Sequence, residues 1–408
     1  MSLNVMCLTS SGGLPLFIRK KGDTINLPFS TVAALNGVHM FGKSHNIELL
    51  NTGTENAAIV WKEFQDSIVL IGIAHETSEE IISLLLESIF HAMVLTVGLE
   101  DIKNQRNVER LKRDLRISFP LIDRLLECVD TASTVNEIVD LVGLSEVILT
   151  PENHLLQTVL DTYAECMDSL YGCLLIHGRI AVATKNWWSL HPDERKLLSL
   201  LISTDNLATA RDIPIFLPYK SPEVAFRLVT CTLIKNVVVC TICGPAPELA
   251  EVDHIVVQCF KTMVEVLKSA EQCYPRNFPQ SLQLAPEILG LLLINTDDKK
   301  FMLSRNAQQV SKKRSLSGMH RLDTLRTFYY ESVKTFLMPT NDADPEEEDA
   351  NSEAHETYWC SEYHKCHALK VANNILCLLY TSAVQTHTMR LMSQKTLKDL
   401  ISDKQLCW

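Results

Sequence analysis

Short apolar runs alternate with polar breaks along the chain, and one local arrangement occurs three times: two strand-like runs joined by a tight turn, followed by helical periodicity. The first pair runs from Asn4 to Lys20 and turns at Ser11, Gly12 and Gly13. The second comprises Leu170 to Ile176 and Ile180 to Lys185 around His177 and Gly178, where glycine can supply the positive φ of a two-residue hairpin. The third, Ile288 to Asn295 and Phe301 to Arg305, turns through Asp297 and Asp298. The starts are unevenly spaced, so the pattern predicts related domains and not a short-period solenoid.

Each unit continues with more strands and a closing helix. In the first, Pro28 to Phe41 reads as a helix and His45 to Leu50 as a strand. Ala57 to Phe64 and Ser67 to His75 then form a hairpin. The next helix starts with Thr77 and Glu80 at capping-box spacing, ends at Gly98, and lines up Ile82, Leu85, Leu86, Ile89 and Met93 on one stripe. In the second unit, Ala225 to Ile234 and Val237 to Cys243 flank Lys235 and Asn236, and Val252 to Leu267 is the helix. In the third, strands Tyr358 to Val371 and Ile375 to Thr381 precede a C-terminal helix. Antiparallel sheets covered by helices make an α+β class.

Boundaries follow from polar residues at Asp130 to Asn136 and three prolines between Tyr274 and Pro286, which predict domains over 1–130, 131–275 and 276–408. The formal charge is −11, and seven acids (Asp342, Asp344, Glu346, Glu347, Glu348, Asp349 and Glu353) lie in one stretch. An acid-rich disordered loop is therefore expected over 341–356, inside the third domain. The folded remainder is close to neutral, which argues against a dedicated nucleic-acid binder. Thirteen cysteines, an odd count, with no N-terminal signal-like segment, predict reduced thiols in the cytosol. Thr24 to Gly42 and Val371 to Met389 lack acids, Lys and Arg, but polar residues interrupt both, so neither is expected to span a membrane.

The chemistry-bearing patterns fail on context. Gly37, Gly42, Lys43 and Ser44 satisfy the phosphate-loop letters, yet fall within a predicted helix and not at the opening of one after a strand. Cys240, Cys243, His254 and Cys259 are spaced loosely like a zinc site, but the first two would point to opposite faces of a strand. Cys360, His364, Cys366 and His367 are denser; on one strand, Cys360, His364 and Cys366 would share a face, which leaves metal binding open there. No nucleophile elbow or zinc-protease pattern occurs. The reading is a non-enzyme without cofactor or resident metal.

Two segments read as surfaces. Phe29, Val32, Leu35, Val38, Met40 and Phe41 place apolar side chains all round one helix, broken by Asn36 and His39. A single sheet cannot cover such a helix on every side, so another domain of this chain or a partner must cover the rest. The second segment, Lys103 to Arg116, carries Arg106, Arg110, Lys112, Arg113 and Arg116 around an apolar stripe of Val108, Leu111 and Leu115. It is either a solvated face or a contact for an anionic membrane or acidic partner. Trp187 and Trp188 read as packing anchors, and Ser315 and Ser317 beside Arg314 as a candidate phosphorylation segment.

The phrases Leu35-Asn36-Gly37-Val38-His39-Met40-Phe41-Gly42, Arg106-Asn107-Val108-Glu109-Arg110-Leu111-Lys112, Thr209-Ala210-Arg211-Asp212 and Ile288-Leu289-Gly290-Leu291-Leu292-Leu293 carry a resemblance over the whole chain. The sequence resembles the tri-longin family of planar cell polarity effectors. The resemblance implies three longin domains, pairing with Inturned, and a heterodimer that acts as exchange factor for a Rab-family GTPase, Rab twenty-three. It also implies work with Fritz at the base of the primary cilium (cytoplasm, cytoskeleton), in ciliogenesis and hedgehog signalling. The alternative is a scaffold or effector that binds the GTP-loaded Rab and recruits intraflagellar transport components without exchange. The family pattern supplies no catalytic side chain.

Overall fold

The computed structural model describes residues 2–22, 27–54, 57–75, 77–104, 107–129, 143–204, 209–304, 321, 324–337, 355–402 and 408. Most of the acid-rich stretch, the polar boundary at 130–136, Arg106, Ser315 and Ser317 lie outside them.

Strands β1 (Ser2–Thr9), β2 (Pro15–Lys21), β3 (Asn51–Gly53), β4 (Ala58–Phe64) and β5 (Ile68–His75) form a sheet in the order β2-β1-β5-β4-β3, with every ladder antiparallel. The period-two alternation of β1 divides its side chains between two layers. Leu3, Val5 and Cys7 face the helix Glu79–Val97 (α2), and Met6 and Leu8 face the helix Phe29–Ser44 (α1). The predicted strand at His45 to Leu50 is replaced by β3, because the chain after α1 first folds back, with Ile47 N–H donating to the Gly42 carbonyl at 2.9 Å. The cap of α2 is Ser78, not Thr77: its hydroxyl accepts from the Ile81 N–H. All five stripe residues of α2 are buried. By length and composition α2 could cross a membrane, but it is the interior helix of the domain. The helices Leu99–Lys103 (α3), Val108–Asp114 (α4) and Phe119–Cys128 (α5) complete the unit.

The second sheet repeats the order. After the short strand β6 (Ser145–Glu146) and the helix α6 (Asn153–Cys166) come β7 (Tyr171–Ile176), β8 (Arg179–Ala183), α7 (Lys185–Trp188), α8 (Pro192–Ser203), β9 (Ala210–Leu217), β10 (Ser221–Ile234) and β11 (Val237–Cys243), arranged β8-β7-β11-β10-β9. The predicted helix from Val252 to Leu267 is two helices, α9 (Leu249–Phe260) and α10 (Val264–Glu271), separated by a 3-10 turn at Lys261–Met263.

The third sheet has strands β12 (Ile288–Asn295), β13 (Lys300–Ser304), β14 (Glu356–Cys360), β15 (His364–Val371) and β16 (Asn374–Thr381), in the order β14-β15-β16-β12-β13-β6. Tyr358 to Val371 is therefore not one strand: a turn at Ser361 to Tyr363 folds it into a hairpin that pairs Cys360 with Lys365. The sixth strand, β6, comes from the segment before the second domain and joins β13 in parallel, while its neighbour Val147 bridges to Ile180 of β8. Three residues thus pair with part of one edge strand in each of two sheets. Edge strands left bare are templates for unwanted pairing.

One core runs through all three units. It takes Leu86, Ile89 and Met93 from α2, Leu121 and Leu125 from α5, Trp187, Leu197 and Leu201 from the second domain, and Leu291, Leu376 and Met389 from the third. The helices α2, α8 and Thr386–Ser402 face this shared centre, while α1, α9 and the helical stretch 324–337 cover the outer faces of their sheets.

Candidate interaction face of the first domain

Pro28, in extended conformation, opens α1, and no acidic residue reinforces its first turn. Packing must therefore hold the helix. Its inner side lies on Met6, Leu8, Trp61, Val69 and Ile71 through Val32, with Leu35 half-buried beside them. The Trp61 indole N–H donates to the Leu35 carbonyl at 3.3 Å. Two glycines let the helix sit this close. A Cβ at Gly42 would stand 3.0 Å from the Ile47 carbonyl oxygen, and one at Gly13, where φ is +61°, would stand 2.0 Å from Asn36 Nδ2.

A polar cluster fastens the C-terminal half. The Lys43 ammonium donates to the Glu63 carboxylate and, at 3.2 Å, to the Ser10 hydroxyl, which itself donates to Glu63. His39 is buried beneath the helix with Nε2 3.7 Å from Glu63 Oε2. Burial opposes ionisation of Glu63, but hydrogen bonds from Lys43 and Ser10 and the nearby Lys43 and His39 charges outweigh it and hold the carboxyl below its usual range. The lysine of the phosphate-loop letters is thus a strut under the last turn of a helix. Gly37 and Gly42 lie inside that helix, so the backbone amides a phosphate would need are bonded within it.

The outer side is open. Phe29 is 75% exposed, Val38 54%, Met40 36% and Phe41 66%, and Ala33, Ala34 and Gly37 between them are exposed as well. Leu14, Ile47 and Leu50 add exposed apolar surface around it. Among the described residues, none from the other two domains covers this side. Of the interface residues expected from sequence, Phe29, Val38, Met40 and Phe41 face outward, Leu35 and Asn36 are half-buried at its margin, and Val32 and His39 point into the domain. For these last two the expectation is corrected: the sheet beneath α1 already occupies them. A helix with apolar residues on every side conceals which side the sheet takes.

The basic segment divides likewise. Leu111 and Leu115 are buried and Val108 is half-buried, as the stripe requires. Arg110 lies 3.4 Å from Asp114, Lys112 3.0 Å from Glu109 and Arg113 3.9 Å from Asp114. Arg116 is exposed beside an exposed Ile117.

Cys240 faces the shared core and Cys243 the opposite layer, as the strand alternation requires. The proposed common face of Cys360, His364 and Cys366 fails because the β14–β15 turn separates Cys360 from the strand that carries the other two. Cys366 enters the third core, and His367, on the other side, hydrogen-bonds Ser393 through Nδ1 at 2.8 Å. Among the described residues no group of three or more His, Cys, Asp or Glu is placed to hold a metal ion. Trp187 is fully buried, and Trp188 is stacked by Arg195 and Lys300. Both are packing anchors.

Three successive matches to family descriptions follow the three sheets. Residues 3–125 match the first longin domain of FUZ, MON1 and HPS1, 167–261 the second, and 287–404 the third. Protein fuzzy homolog of Xenopus tropicalis is 37% identical over 98% of this chain and 98% of its own length. The Mus musculus homolog is 34% identical over 98% and 97%. That of Homo sapiens is 37% identical over 83% and 80%. The repeated sheet order, the shared core and these matches along nearly the full length make this chain a member of the Fuzzy family of three-longin-domain proteins.

Proposed function

We propose that this chain is a planar cell polarity and ciliogenesis effector that works as one half of a heterodimer with Inturned, the pair acting as exchange factor for a Rab-family GTPase. The observation that carries the reading is the bare outer side of α1, where Phe29, Val38, Met40 and Phe41 are exposed in the full chain. Such a patch, on a helix whose other side is fixed, is what a second folded domain would cover. Exchange needs no acid, base or metal. A factor that binds the nucleotide-free GTPase more tightly than the nucleotide-bound form speeds release by differential affinity alone. In this reading Fritz joins the assembly at the base of the primary cilium, and Arg110, Lys112, Arg113 and Arg116 offer a contact to an anionic membrane or acidic partner.

The deciding experiment measures nucleotide release from the Rab with this chain, with Inturned and with both. Acceleration by the pair alone is the expected result. Binding restricted to the GTP-loaded Rab, with release unchanged, would replace exchange by a scaffold or effector role.

A further inference from the structure

The two edges of the third sheet differ. Part of β13 is paired by β6, whereas β14 pairs with β15 alone among the described residues. The Lys370 N–H donates to the His355 carbonyl at 2.7 Å and the Ser361 N–H to the His364 carbonyl at 2.9 Å, which fixes the phase of the β14–β15 ladder. Thr357 and Trp359 therefore turn their backbone groups toward β15, and Glu356, Tyr358 and Cys360 turn theirs outward. Apolar side chains frame this edge. Tyr358 is 63% exposed, Trp359 39%, and Phe336, on the helical stretch that packs beside β14, 57%. Trp359 also stacks on Phe328 of that stretch, with centroids 6.4 Å apart, so the helix backs the strand from one side.

We propose that β14 is an interface between two copies of this chain, which pair antiparallel about Tyr358 and join their third sheets into one. In that register Tyr358 lies opposite Tyr358 of the second copy, Glu356 opposite its Cys360 and Trp359 opposite its Thr357. The outward backbone groups of the three residues on each strand then bond to one another. No like charges meet, because Glu356 is held by Arg390 at 3.2 Å and faces a thiol across the pair. Direction follows from charge as well. Seven acids precede β14 in sequence, between 342 and 353, and a parallel pair would bring both acid-rich leads in at the same end, while an antiparallel pair separates them. The three rings on each copy, at ~100 Å² apiece, together with the two strand edges offer ~1,000 Å² for burial, the size of a weak specific interface. The dimer is therefore expected to depend on concentration, and it uses no residue of α1.

Sedimentation velocity of the full chain over a concentration series tests this. The expected result is a monomer–dimer equilibrium that Tyr358→Lys shifts to monomer, because two ammonium groups then stand opposite each other. Tyr358→Pro should do the same, since it removes an outward N–H and no bond to β15. The lysine variant should keep the far-ultraviolet spectrum and unfolding midpoint of the unsubstituted chain, and it decides the matter if proline disturbs the strand. Val38→Asp, on the exposed side of α1, should leave the equilibrium unchanged. A monomer at every concentration would leave the edge to a strand of another protein and overturn the proposal. So would a dimer that survives Tyr358→Lys, or one that Val38→Asp abolishes.

Discussion

Arg179 Nε lies 2.8 Å from Glu146 Oε1, with the two side chains 0% and 5% exposed, and the pair joins β8 of the second sheet to a strand that belongs to the third. The same guanidinium donates to the His177 carbonyl at 2.9 Å and lies over the Tyr274 ring at 4.9 Å. A buried pair of this kind gains little over apolar packing, but losing one member leaves the other charge stranded.

Glu146→Ala should accordingly destabilise the chain by about 3–5 kcal/mol, and Glu146→Leu combined with Arg179→Met by much less. Chemical denaturation of the two variants measures the difference. Equal losses would mean that the charge itself is not what the junction tolerates poorly.

Val38→Asp should leave the midpoint of thermal unfolding unchanged and weaken partner binding by several kcal/mol, because the carboxylate faces water in the free chain and is stranded in the complex. Val32→Asp, on the buried side of the same helix, should unfold the domain. Gly37→Ala meets no atom within 4 Å and should stabilise the free chain by about 0.5–1 kcal/mol. Calorimetry of each variant, free and titrated with Inturned, separates the two sides of α1.

Glu63 titrates below its usual range in the folded chain, so the native state holds fewer protons than the unfolded state as the pH falls. Its contribution is complete above the unfolded value of 4.5 and is lost as the pH drops through the lower native value. Glu63→Gln should lower stability most near neutral pH and little in acid, which flattens that acid limb of a stability-versus-pH curve. Lys43→Ala should lower stability through the same cluster and leave ATP and GTP turnover at background. Turnover that this change abolished would restore the phosphate-loop reading.

Gly98 has φ +90°, and a Cβ there would stand 2.8 Å from the Phe216 ring of the second domain. Gly98→Ala combines backbone strain with a clash at the junction of the first two domains, and a loss of about 2–3 kcal/mol is expected. Gly98→Ala with Phe216→Ala should retain the strain while removing the clash. A denaturant series on the single and double variants apportions the two.

The three hairpins, the closing helices and the stripe along α2 were legible because they depend on local chemistry: side-chain alternation, turn residues and a 3.6-residue period. The family phrases were legible for the same reason, as contiguous letters. The side of α1 that stays bare was not, because Val32 and Val38 look alike in sequence and only the position of Met6, Trp61 and Ile71 buries one and leaves the other. Nor was β6, since Ser145–Glu146 is too short for any periodicity and becomes a strand only when β13 presents an open edge. The division of Tyr358 to Val371 at Ser361 likewise came from cross-strand pairing, which dismantled a metal cluster the spacing had allowed. Local pattern determined what elements this chain makes; which of their faces meet one another, and which remain for a partner, was decided by the packing of three sheets around one core.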